Sequence, residues 1–164
     1  MRSFLIIGMA TATFIACNSS DDKTTETKEA GHDAHATTAT PAEMPDMPEV
    51  PANARVFFVN LRDGQTVTSP LKVEMGIEAM SVDTANGILK PASGHHHILV
   101  DMDSIRTGEV IKKDSVHIHF GNAQTSAEIT LPPGKHSLTL QFADALHRSY
   151  GTRLTSKITV DVRQ

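Results

Sequence analysis

The chain has 164 residues and a formal net charge of −4, from 15 basic and 19 acidic residues. The acidic excess belongs to residues 18–50, which carry eight acidic and two basic residues. Residues 51–164 are nearly neutral, with 12 basic and 11 acidic residues, so no basic surface for a nucleic acid is expected. We therefore predict no nucleic-acid partner.

The first 16 residues resemble a bacterial export signal. Arg2 precedes an uncharged apolar stretch at 4–16, which is too short to span a bilayer as a permanent helix. This stretch ends in Phe14-Ile15-Ala16-Cys17, which resembles a bacterial lipobox, and Cys17 is the only cysteine. We predict a lipoprotein signal peptide at 1–16 and lipidation of Cys17. The protein would then be anchored to a bacterial membrane, facing the periplasm or the cell surface; the alternative is an ordinary secretory signal.

Residues 17–50 are predicted to form a disordered acidic tether after the lipidated cysteine. They are rich in Thr, Ala, Asp, Glu and Pro and contain no aromatic residue. Such a segment cannot bury enough apolar surface to offset the entropy of ordering. The remaining residues, 51–164, suit one small domain.

Short alternating segments separated by turn residues predict an all-β domain. About seven strands at this spacing indicate a small immunoglobulin-like antiparallel β-sandwich. The first segment is apolar on both faces, which favours a central position. The predicted strands are 55–61, 71–78, 96–101, 115–120, 126–131, 136–142 and 157–162.

Five of the nine histidines fall in two clusters, His95-His96-His97 and His117-Ile118-His119. Side chains alternate along a strand, so the first and last histidine of each cluster share a face, about 7 Å apart. If the two strands are neighbours, imidazoles of one lie about 5 Å from those of the other. Such a group suits Zn²⁺ or Cu²⁺, with metal–nitrogen bonds of about 2 Å.

The predicted metal ligands are therefore His95, His97, His117 and His119, with His147 from a later loop as a further candidate. The alternative is that these histidines are solvated or form structural hydrogen bonds. His96 and His136 are in phase with apolar neighbours, which favours structural roles. Asp101 and Asp144 are candidates to orient a ligand imidazole through its second nitrogen.

Three segments resemble an uncharacterised bacterial domain family, the domain of unknown function 4399. They are Gly94-His95-His96-His97-Ile98-Leu99-Val100-Asp101, His117-Ile118-His119-Phe120-Gly121, and the stretch from Leu131-Pro132-Pro133-Gly134 through Ala143-Asp144-Ala145-Leu146-His147. The resemblance covers most of residues 51–162. It implies an exported, often lipid-anchored β domain and places seven histidines in the family's motif: His95, His96, His97, His117, His119, His136 and His147.

Three functional hypotheses remain open at this point. The first is an envelope protein that handles copper or zinc without catalysis. The second is a structural, adaptor or ligand-binding envelope module whose histidines form a hydrogen-bond network. The third is a small metalloenzyme, for which the sequence offers no nucleophile motif and selects no substrate. The membrane contact through the lipid is the only predicted partner, and no protein partner is indicated.

Overall fold

The computed structural model describes residues 44–163. The predicted signal peptide, Cys17 and residues 18–43 of the predicted tether lie outside the described residues. Within 44–163, the structure contains no helix of sufficient length and hydrophobicity to cross a membrane.

The part of the chain between 44 and 163 is all-β, with nine strands in two sheets, as the sequence predicted. A small sheet has the order β1-β3-β7, and a larger sheet has the order β2-β9-β8-β5-β4, with β6 also paired to β5. A short 3-10 turn at Gly151–Leu154 precedes the last strand. The strands are β1 Arg55–Phe58, β2 Gln65–Thr68, β3 Leu71–Glu78, β4 Ser81–Val82, β5 Ser93–Val100, β6 His117–His119, β7 Ser126–Ile129, β8 Gly134–Ala143 and β9 Thr155–Arg163.

The main core lies between the two sheets and is built from alternating apolar side chains. Val73 on β3, Leu138 and Leu140 on β8 and Val160 on β9 are all fully buried there. Burial of such side chains, at about 1.5–3 kcal/mol each, is the main term that holds the sandwich together. Aromatic residues are few, so branched aliphatic side chains fill most of this core.

A second apolar cluster covers the opposite face of the larger sheet. It consists of Leu99, Ile111 and Ala143, with Met102 and Ile105 packed against it. Three of these residues come from the connection between β5 and β6. The larger sheet is therefore covered on both faces where β5 runs, and this determines the surroundings of the histidines.

The structure corrects three expectations about the strands. Residues 65–68 and 81–82 also form strands, and they pair in parallel with β9 and β5, so the larger sheet is mixed and not antiparallel throughout. Strand β1 lies at the edge of its sheet, not at the centre. Its second face is only partly buried: the Phe57 ring lies against Gly76, and the Arg55 guanidinium lies 5.1 Å from the centroid of that ring.

The folded domain also begins earlier than the predicted boundary at 51. Met47 and Val50 pack against the main core. Arg148 donates hydrogen bonds to the carbonyl oxygens of Pro45 and Asp46, the latter at 3.2 Å. The proline-rich end of the predicted tether is thus fixed by apolar burial and by a buried arginine that only the folded domain provides.

Replacing Leu140 with alanine is expected to lower the free energy of unfolding by about 2–5 kcal/mol, because Leu140 is fully buried between the sheets. Val110→Ala is the matched control, since Val110 is 53% exposed and its truncation is expected to cost less than about 0.5 kcal/mol. Urea unfolding followed by circular dichroism measures both. Equal losses in the two variants would contradict the assigned core.

A candidate metal centre on β5 and β6

Strand β5 carries three consecutive histidines and is buried along its whole length. Its alternation sends His96 to the main core, where its ring centroid lies 5.0 Å from that of Phe142. His95 and His97 point to the opposite face, together with Leu99 of the second apolar cluster. None of the three imidazoles is exposed to solvent.

Strand β6 brings a further histidine beside this pair. The antiparallel register places His97 opposite His119, as the sequence analysis expected for neighbouring strands. The ring centroid of His119 lies 5.0 Å from those of both His95 and His97. One ligand nitrogen from each of these three residues lies within 4.8 Å of the other two, so the triad could hold a metal ion.

His147 completes a group of four imidazoles, which we call the histidine cluster (His95, His97, His119 and His147). Nε2 of His147 lies 3.1 Å from Nε2 of His119, and Nε2 of His97 lies 2.8 Å from Nε2 of His95. Two nitrogens bound to one tetrahedral Zn²⁺ at about 2.05 Å would be about 3.3 Å apart. These two separations are shorter, and the ligand nitrogens of the triad lie within 4.8 Å of one another, so small shifts of the rings would be needed to bind an ion.

Hydrogen bonds satisfy only part of the cluster. Within the described residues, Nδ1 of His95 and Nδ1 of His97 are buried without a hydrogen-bond partner. Both ring nitrogens of His96 are in the same situation on the core side of the strand. Buried nitrogen atoms are rarely left unpaired, because the lost hydration costs about 1–3 kcal/mol per group.

The electrostatic environment keeps these imidazoles neutral. Burial, reinforced by the neighbouring imidazoles, lowers the pKa of His95 to about 3 and that of His97 to about 2. Burial alone lowers the pKa of His96 to about 4. The pKa of His119 is lowered by burial first and then by His147 and Lys113. Neutral imidazoles present the lone pairs that a metal ion requires, without first losing a proton.

The cluster is closed on one side and accessible on the other. His95 and His97 are fully buried, whereas His119 and His147 are partly exposed. Gly121 lies directly against His119, since a Cβ at that position would be 2.2 Å from its Cε1 and 2.4 Å from its Nε2. Any larger residue at Gly121 would displace the His119 ring. Sequence analysis placed Gly121 in the histidine motif but assigned it no role.

The structure brings together four of the five predicted ligands. His147 lies outside the triad but next to it, with its Nε2 3.1 Å from that of His119, whereas His117 is turned to Asp114, with its Nδ1 2.8 Å from Oδ1 of that residue. The position of His117 follows from the register, which sets it opposite Leu99, one step further along the same face. Asp114 was missed by sequence analysis, which sought a carboxylate partner for imidazole only at Asp101 and Asp144.

Neither Asp101 nor Asp144 makes the expected hydrogen bond to the second ring nitrogen of a histidine in the cluster. Asp101 lies 2.8 Å from Nδ1 of His136, whose Nε2 lies 3.1 Å from the carbonyl oxygen of Pro132. This gives His136 a structural hydrogen-bonding role at the start of β8. Asp144 forms a buried ion pair with Arg148, at 2.7 Å.

The fold and the cluster together define a small β-sandwich domain with buried histidines on one sheet face. A family model described as a domain of unknown function (DUF4399) matches residues 73–163, more than half of the chain, and the chain belongs to this family. The match contains all four histidines of the cluster and confirms the resemblance noted from the motifs. Comparison with curated proteins and with solved structures gives no match.

The metal-free protein is expected to lose stability as the pH falls from about 6.5 to about 4. The folded-state pKa values of His95, His96 and His97, about 3, 4 and 2, lie below the unfolded value of about 6.5. The unfolded chain therefore binds up to three more protons in this range. The free energy of unfolding should fall by as much as about 4 kcal/mol per pH unit, as measured by urea unfolding with a chelator present.

His96→Leu is a useful companion variant, because it removes two unpartnered buried nitrogens and one of the three protonatable groups. It should be more stable than the parent, and the difference should grow as the pH falls below about 6.5. A metal-free protein equally stable at about pH 7 and about pH 4.5 would contradict the assignment of buried neutral imidazoles.

Proposed function

We propose that this protein is a lipid-anchored bacterial envelope protein that binds copper or zinc at the histidine cluster, for metal handling and not for catalysis. The observation that carries the proposal is the convergence of His95, His97 and His119, whose ligand nitrogens lie within 4.8 Å of one another. His147 is the fourth ligand, because its Nε2 lies 3.1 Å from that of His119.

The donor set favours a transition metal of intermediate softness. Imidazole nitrogen suits Zn²⁺ and copper, whereas Ca²⁺ and Mg²⁺ prefer oxygen ligands. No carboxylate of residues 44–163 is part of the triad. Burial lowers the pKa of His95, His97 and His119, so these three imidazoles can bind an ion near pH 7 at little protonation cost.

Two features support an exchangeable ion over a structural one. His95, His97 and His119 lie on the face of the larger sheet opposite the main core, so the packing between the sheets does not depend on an ion. The cluster is also open on the side of His119 and His147, which are partly exposed. Structural zinc sites are closed by four ligands and often required for folding, whereas a carrier must release its ion.

The second candidate function is an envelope module whose histidines form a hydrogen-bond network. The separation of 2.8 Å between Nε2 of His95 and Nε2 of His97 favours it, because this is a normal hydrogen-bond length. The buried Nδ1 atoms of both residues argue against it, since a network should use them. Metal titration separates the two functions.

The purified full chain without a polyhistidine tag is expected to bind one Cu²⁺ or Zn²⁺, and His119→Ala should weaken this binding at least about 100-fold. His117→Ala is the matched control, because His117 lies on the same strand and face but is held by Asp114. Its binding should stay within about threefold of the parent. Isothermal titration calorimetry, with elemental analysis of the purified protein, measures both.

Weak binding that is the same in the parent and in His119→Ala would reject the metal site and leave the hydrogen-bond network. Loss of binding in His117→Ala alone would show that the ligand set is wrong. A melting temperature that rises with added metal in the parent, and not in His119→Ala, would give independent support.

The membrane anchor is tested separately through Cys17. Cys17→Ser should abolish incorporation of a labelled fatty acid and move the protein from the membrane fraction to the soluble fraction, because the only candidate lipid attachment atom is removed. Lys23→Ser serves as a control for a substitution nearby in the predicted tether. Unchanged membrane association of Cys17→Ser would contradict the lipoprotein assignment and favour an ordinary secretory signal.

A further inference from the structure

The turn from Asp144 to Arg148 determines where the imidazole of His147 lies. The Asp144 carboxylate accepts hydrogen bonds from the backbone amides of Leu146 and Arg148, both at 2.9 Å. The amide of His147 donates to the carbonyl oxygen of Asp144 at 2.9 Å. His147 is held at φ 66°, a left-handed conformation that costs free energy for a residue with a Cβ.

Arg148 stabilises the same turn from the other side. Its Nε donates to Oδ2 of Asp144 at 2.7 Å, and both side chains are almost completely buried. The guanidinium also donates to the carbonyl oxygens of Pro45 and Asp46 in the N-terminal segment. The Asp144 carboxylate thus binds backbone amides on both sides of His147, and Arg148 links this carboxylate to the N-terminal segment.

We propose that Asp144 is a positioning residue that presents His147 to His119 and so supplies the fourth imidazole of the metal centre, while Arg148 compensates the charge of the buried Asp144 carboxylate. The proposal rests on the proposed metal-binding function. His147 adopts its strained φ within a turn that the buried Asp144 carboxylate stabilises. This carboxylate accepts hydrogen bonds from the two amides on either side of His147. This turn therefore determines that Nε2 of His147 points toward the triad.

The test compares His147→Ala with the double variant Asp144→Ala/Arg148→Met in the full chain. Removing both charges avoids an unpaired buried ion, and replacing a buried ion pair with apolar residues is often close to neutral for stability. Each variant is expected to bind Cu²⁺ about 10- to 100-fold more weakly than the parent. Each should also lose one nitrogen ligand in the electron paramagnetic resonance spectrum of the Cu²⁺ complex.

Two further variants separate positioning from general destabilisation. Adding His147→Ala to the double variant should weaken Cu²⁺ binding no further, because the pair acts only through His147. Asp144→Asn/Arg148→Met keeps an acceptor for the two turn amides and should recover the parent spectrum. Arg153→Met is the control, since Arg153 also binds the N-terminal segment, at Pro51, but has no contact with the turn.

The outcomes are distinct for the two proposals. If the parent binds no Cu²⁺, the metal function itself fails and this proposal falls with it. If His147→Ala weakens binding but Asp144→Ala/Arg148→Met keeps the parent affinity and spectrum, only the positioning role is overturned. It is also overturned if the triple variant binds Cu²⁺ more weakly than both His147→Ala and Asp144→Ala/Arg148→Met. The same holds if Asp144→Asn/Arg148→Met does not show the spectrum of the parent.

Discussion

The burial of β5 on both faces is the constraint on which the rest of the structure depends. One face of this strand lies in the main core, and the other lies under the connection that carries Ile105 and Ile111. Three consecutive histidines are thereby removed from water. A buried polar group without a hydrogen-bond partner or a bound ion destabilises the fold, because it has lost its hydration. The residues around β5 must therefore provide partners for its three imidazoles.

The partners available to the imidazoles differ between the two faces of β5. On the outer face, His95 and His97 meet each other and the imidazoles of His119 and His147. Burial there lowers the pKa of His95, His97 and His119 and so favours their neutral forms. Four lone pairs in one small volume repel one another unless protons or an ion lie between them. A metal ion would satisfy several of these nitrogens at once.

On the core face, His96 has no comparable group of polar partners. Its ring packs edge-on against Phe142, and within the described residues neither nitrogen has a hydrogen-bond partner. An apolar residue there would suit the packing better, so the histidine lowers the stability of the sandwich. The structure gives no reason for a histidine at this position.

The sequence by itself determined the class of the domain and the shared face of each histidine pair, because a strand alternates with a fixed period of two residues. It also placed the motif in its family. It failed at β1, which was expected at the centre of its sheet because its segment is apolar on both faces. The strand lies at the edge of the sheet, and Phe57 on its second face is only partly buried. The short strands β2 and β4 each carry a single apolar residue, Val67 and Val82, so neither shows a recognisable alternation.

Only the tertiary structure decided which histidines meet. The choice between His117 and His119 depends on the register of β5 against β6, and one step of two residues along the strand moves an imidazole about 7 Å. The position of His147 depends on a turn built by Asp144 and Arg148, whose partners lie up to 103 residues away. Local sequence does not determine contacts between residues so far apart along the chain, because those contacts follow from the packing of the whole domain.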